Sequence, residues 1–78
     1  SMNAVKVAHA YDFGTYAVMK SLLESEGMPV IDVAFGSHIS IAGADQGYYL
    51  QVRATDQGRA RTLLWQNSLA KYLLKEQL

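Results

Sequence analysis

The chain has no cysteine, which excludes disulfide staples and thiolate metal sites together. Its two histidines, His9 and His38, lie far apart and have no second His or carboxylate at short helical spacing, so no metal centre is expected. Neither a phosphate-binding loop nor a dinucleotide fingerprint is present, and no cofactor is expected. Seven Lys and Arg balance seven Asp and Glu, leaving a formal net charge of +0 and no global field to draw nucleic acid or an anionic membrane. No apolar run approaches the roughly 18 to 20 residues of a membrane span, and no secretory-signal pattern opens the chain. These absences point to a cytoplasmic protein with no membrane partner.

The residues present are those of a folded domain. Hydrophobic side chains make up 50% of the 78 residues, far too many for a disordered chain. A chain of this length buries only about 60% of its unfolded surface and has room for one core. Without disulfide or metal staples, association with a second copy is the remaining route to stability, and a homodimer is expected. Ser1 ahead of Met2 reads as a tag remnant, so residues 1–2 are set apart from the fold. Residues 3–65 are expected to form the domain and residues 66–78 a helical extension acting as an association element.

Residues 5–10 alternate as a first strand, with Val5, Val7 and His9 on one side and Lys6, Ala8 and Ala10 on the other. Asp12 is placed to cap a helix over about 13–26, with Asp12, Thr15, Tyr16, Met19, Leu22 and Leu23 on one flank and Met19 near the centre of the buried stripe, and Gly27 sits where such a helix ends. Residues 28–35 read as a second strand with Ile31, Val33 and Phe35 inward, and Pro29 at its start. Residues 48–53 are the clearest strand, with Tyr48, Leu50 and Val52 inward and Tyr49, Gln51 and Arg53 outward. A second helix begins near Gln57, meets no proline, and is expected to run long. It buries Ala60, Leu63 and Leu64 first. A second stripe, Trp65, Leu69, Tyr72 and Leu73, then faces elsewhere and is the expected interface with a second copy; the alternative is a bend near Asn67-Ser68 that folds these side chains back onto their own domain.

The order βαββα predicts an α+β, ferredoxin-like sandwich: an antiparallel sheet with two helices on one face and a long C-terminal helix. In that topology the third strand lies between the first and second, and the first strand is left as an edge open to pairing.

Segments carrying this pattern resemble a known family. Residues 7–13, the Met19 to Met28 run, Tyr49-Leu50-Gln51-Val52 and residues 56–64 are similar to a family of prokaryotic signal-transducing proteins, small PII-like, ferredoxin-like domains of unknown function. The resemblance covers most of residues 5–65. It departs at Thr15-Tyr16, where family members often carry Glu and a small residue. It implies a regulatory role, and implies that residues 36–47 form the loop through which PII-type proteins contact partners. On that loop Ser37, His38 and Asp45, with His9 at the end of the first strand, are the candidate ligand or partner residues.

A serine, a histidine and an acid in one loop do not make a catalytic triad without fixed geometry and an oxyanion hole, and no nucleophile elbow is present. The chain is therefore not expected to be an enzyme. The expected function is a regulatory or adaptor module that binds a protein partner or small ligand. The alternative is RNA or single-stranded nucleic-acid binding across the open sheet face around Tyr49 and Arg53, disfavoured by the missing basic cluster.

Overall fold

The computed structural model describes residues 3–31 and 47–76. It is an α+β arrangement: β1 (Ala4–Ala10), α1 (Phe13–Ser25), β2 (Tyr48–Arg53) and α2 (Gln57–Gln66), with single 3-10 turns at Ala54–Asp56 and Ala70–Tyr72.

Helix α1 begins and ends where its chemistry dictates. Asp12 holds an extended backbone (φ −109°, ψ 149°), and its carboxylate accepts from the Thr15 N–H at 2.8 Å and the Thr15 hydroxyl at 2.9 Å. At the other end Gly27 takes φ 83°, its N–H donates to the Glu24 carbonyl, and the Met28 N–H reaches back to the Leu23 carbonyl at 3.0 Å. This is the paired closure of a left-handed helix stop, with the usual apolar contact between its ends supplied by Leu23 and Met28, both buried.

β1 and β2 pair antiparallel, but the ladder carries a bulge. Lys6 lies opposite Gln51 and Ala8 opposite Leu50, leaving Val7 as an extra residue. Strict alternation would have put Ala8 outside and His9 inside. The bulge reverses that: Val7 and Ala8 are both fully buried, while His9 pairs with the outward Tyr49. Inward Leu50 and Val52 share one core with Tyr16, Met19 and Leu23 of α1 and Ala60 and Leu64 of α2. At about 1.5–3 kcal/mol for each large apolar side chain fully buried, this shared cluster is the main source of stability.

Short pairings flank both strands. Val30 bridges Val52, and the Ile31 N–H donates to the Gln51 carbonyl at 2.9 Å. Val30, opposite the buried Val52, packs against the core, so the inward position expected for Ile31 belongs to Val30 instead. Residues 32–35, the rest of the expected second strand, lie outside the described residues. On the outer edge of β1, Leu73 bridges Ala8, and the Leu74 N–H donates to the Val7 carbonyl at 2.9 Å. The edge expected to be open is thus covered at this point by the chain's own tail.

That tail corrects the expectation of a long C-terminal helix, because α2 stops at Gln66. Ser68 adopts φ 65°, its N–H donates to the Trp65 carbonyl, and the Leu69 N–H reaches the Leu64 carbonyl at 2.9 Å. The Asn67 side-chain amide also donates to the Leu63 carbonyl at 2.8 Å. This is the closure used by α1, built on serine in place of glycine, with Leu64 and Leu69 as the apolar pair. Past it, Leu69, Tyr72 and Leu73 pack against the domain's own core. The four-residue stripe expected as an interface does not form on one helix. Three of its members are recruited in cis, and only Trp65 stays largely exposed, at 67%.

Candidate binding face of the sheet

With α1 and α2 on the core side, the outer side of β1 and β2 carries a row of rings and a cation. His9 sits across from Tyr49 with ring centroids 4.7 Å apart, and its other neighbour is Tyr11, also at 4.7 Å and nearly perpendicular. Lys6, one diagonal step away, places its ammonium 4.3 Å from the centre of the Tyr49 ring. Gln51, opposite Lys6, adds a carboxamide beside the row. The set Lys6, His9, Tyr11, Tyr49 and Gln51 offers ring stacking, edge contacts, a positive charge and amide hydrogen bonding within two adjacent strands.

Gly47 holds the two strand ends together beneath this row. At φ 103° it occupies backbone space closed to most L-residues, and a Cβ there would run into the Ala10 carbonyl oxygen and come within 2.9 Å of His9 Nε2 and the Tyr11 Cα. The close approach of the chain at Gly47 thereby fixes where β2 starts against the end of β1.

A second aromatic group lies at the mouth of α1. Tyr48 faces inward and stacks on Tyr16 with centroids 5.6 Å apart, and Phe13 approaches both. This group ties the sheet to the first helix. Beside it the Asp12 carboxyl is held below its ordinary value of 3.8, chiefly by the hydrogen bond from the Thr15 amide and then by the Thr15 hydroxyl.

Arg53, expected as a sheet-face contact, is committed to the corner between β2 and α2. Its Nε donates to Asp56 Oδ2 at 2.9 Å, and Asp56 is only 5% exposed, so this pair satisfies a buried carboxylate. The expected trio Ser37, His38 and Asp45 lies outside the described residues. His9 is described, and it joins Tyr49 and Tyr11. Tyr11, 77% exposed, escaped the sequence reading because it follows the strand. The signal for His9 was present in the spacing of Lys6 and His9. Two polar residues three apart cannot both face outward on a regular strand, and an intervening Val7-Ala8 pair marks the bulge that lets them.

A second concave surface lies on the helical side. A groove of about 490 Å³ runs between the end of α1 and α2, with Met28 and Leu63 among its walls and Glu26, Gly58, Arg59, Thr62 and Gln66 around them. Arg59 spans it by donating to the Glu26 carbonyl at 3.0 Å. Among the described residues no helix is long and apolar enough to cross a membrane. No protein-family model, curated protein or solved structure matches the chain.

Proposed function

We propose that this chain is a non-catalytic regulatory or adaptor module that engages a protein partner or small ligand through the outer face of its sheet, and that it works as a homodimer. The observation carrying the reading is the Lys6, Tyr49, His9 and Tyr11 row, created by the Val7 bulge and kept on the side away from both helices. Rings, one ammonium and one carboxamide are recognition chemistry. They bind by stacking, cation–π attraction and hydrogen bonding.

The ferredoxin-like arrangement belongs to the same proposal. It is supported by the two flanking bridges, which give the antiparallel order residues 30–31, β2, β1, residues 73–74. Kinship with the PII-like signal-transducing family rests on the residue runs that resemble it, and fits a module of this size with one open sheet face.

Single-stranded nucleic acid is the second reading. It is favoured by the bulge, which adds His9 and Tyr11 to a face on which strict alternation left Tyr49 as the sole aromatic. Lys6 already covers the Tyr49 ring, however, and the balanced charge supplies little of the phosphate attraction such binding needs.

A titration of isotope-labelled protein, followed residue by residue by NMR, separates these readings. A panel of aromatic carboxylates and mononucleotides is expected to yield ligands that move Lys6, His9, Tyr11 and Tyr49 and that lose affinity in Tyr49→Ala. Ligands that move only other residues would remove the sheet face from the proposal. Oligouridylate binding that weakens steeply with salt and disappears in Tyr49→Ala would move the second reading to first.

A further inference from the structure

Two opposite charges line the groove between the end of α1 and α2 and do not pair with each other. At about 490 Å³ the groove falls within the roughly 300–1,000 Å³ range of small-molecule sites. Its α2 wall is two neighbouring ridges stepped four residues apart, Gly58, Thr62 and Gln66 along one and Arg59 and Leu63 along the other. Met28 and the half-buried Leu63 make the lining partly apolar. Arg59 and Glu26 are both exposed, yet the bond between them runs from the guanidinium to the Glu26 main-chain carbonyl at 3.0 Å and leaves the carboxylate out. Neither side chain has an ion-pair partner among the described residues.

The placement of these charges selects a ligand. An anion alone would meet Glu26 as well as Arg59, and a cation alone would meet Arg59 as well as Glu26. A molecule carrying both charges close together satisfies both. Arg59 stands in the first turn of α2, which holds no acidic residue, and Glu26 closes α1, whose last turn holds no basic one. The two helix ends therefore favour an anion at the first and a cation at the second. Gly58 keeps the rim between them low. Its backbone is not left-handed and a Cβ there would meet nothing within 4 Å, so neither conformation nor packing among the described residues calls for so poor a helix former.

We propose that this groove binds a small zwitterion with an apolar body, the chemistry of an apolar α-amino acid or a short apolar peptide. The carboxylate of the ligand meets the Arg59 guanidinium, its ammonium meets the Glu26 carboxylate, and its apolar group lies along Leu63 and Met28. The Thr62 hydroxyl and the Gln66 carboxamide stand along the rim for further hydrogen bonds. This site is separate from the ring row on the sheet and does not depend on it.

Titration of isotope-labelled protein with L-leucine and with leucyl-leucine, followed by NMR, tests the site. Aliphatic probes are chosen because they have no ring to stack on the sheet face. Up to about 10 mM, enough to detect millimolar affinity, the amides of Gly58, Thr62, Leu63 and Gln66 are expected to move while those of Lys6, His9 and Tyr49 stay in place. N-acetyl-leucine lacks the ammonium and leucinamide lacks the carboxylate, and each is expected to bind about two- to fivefold more weakly, the scale of an exposed charge pair. In Glu26→Gln the acetylated compound should bind as well as leucine does, and in Arg59→Gln the amide should. Both substitutions change exposed side chains, and the spectrum of each variant without ligand checks its fold. The tighter of leucine and leucyl-leucine tells a free amino acid from a peptide as the natural source. Wild-type protein that binds the acetylated compound or the amide as well as leucine would overturn the proposal, as would the absence of any shift along the groove. The sheet-face reading, tested separately through Tyr49→Ala, would survive either result.

Discussion

Exchanging the residues at the two helix stops tests the path of the C-terminal tail. Gly27 and Ser68 hold equivalent left-handed positions, at φ 83° and 65°. An L-residue in that region costs roughly 1–2 kcal/mol, and glycine avoids the cost but loses about 0.5–1 kcal/mol of extra chain entropy on folding. Ser68→Gly should therefore stabilise the protein by about 0.5–1 kcal/mol. Gly27→Ser should destabilise it by a similar amount, because a Cβ at Gly27 meets nothing within 4 Å and only the backbone cost remains. In a domain of this size those changes correspond to about 2–8 °C in Tm, upward for the first and downward for the second. Thermal denaturation followed by circular dichroism at low micromolar concentration reads both. The sign at position 68 decides. Were the helix to continue through that position, glycine would be worse than serine by about 0.5 kcal/mol and Ser68→Gly would lower Tm. A lowered Tm for both variants would refute the fold-back of Leu69, Tyr72 and Leu73.

Gly47→Ala is expected to cost about 3 kcal/mol or more, from a strained backbone and the collision with the Ala10 carbonyl; a Tm within a few degrees of the wild type would show that the strand ends do not meet as described. Asp12 supplies the pH dependence. Its folded pKa lies below 3.8, so its contribution is present above that value and is lost as pH falls through the folded pKa. Asp12→Asn keeps a capping oxygen without the titration, and its Tm should fall less steeply below about pH 4 than that of the wild type; equal slopes would remove the Asp12 to Thr15 bond as the cause.

Features set by a few neighbouring residues could be read from the sequence, and features set by exceptions could not. Asp12 and Gly27 announced α1, and the alternation of Tyr48 to Arg53 announced β2 with its correct inward face. β1 was found in place but with the wrong parity beyond Val7. An alternation argument assumes one residue per ladder position, and the bulge spends two. A bend at Asn67-Ser68 ranked behind a long α2 because serine, a poor occupant of left-handed space, stands where glycine would have given warning. A warning was nonetheless written in duplicate. Leu22-Leu23-Glu24-Ser25-Glu26-Gly27-Met28 and Leu63-Leu64-Trp65-Gln66-Asn67-Ser68-Leu69 share a leucine pair, three spacers, a small residue and an apolar one, and both close a helix in the same way. The groove was out of reach, since residues 26–28 and 58–66 meet only through the fold.

The tail's return also decides which surfaces are left for other molecules. At Val7 and Ala8 the outer edge of β1 is paired by Leu73 and Leu74, and Arg61 fastens that pairing by donating to the Leu74 carbonyl at 2.6 Å. A partner strand would have to displace these hydrogen bonds and the half-buried packing of Leu69, Tyr72 and Leu73, whereas Trp65 stays 67% exposed. The ring row around Tyr49 lies on the side of the sheet opposite the helices, so a molecule bound there leaves the pairing of the tail with β1 intact.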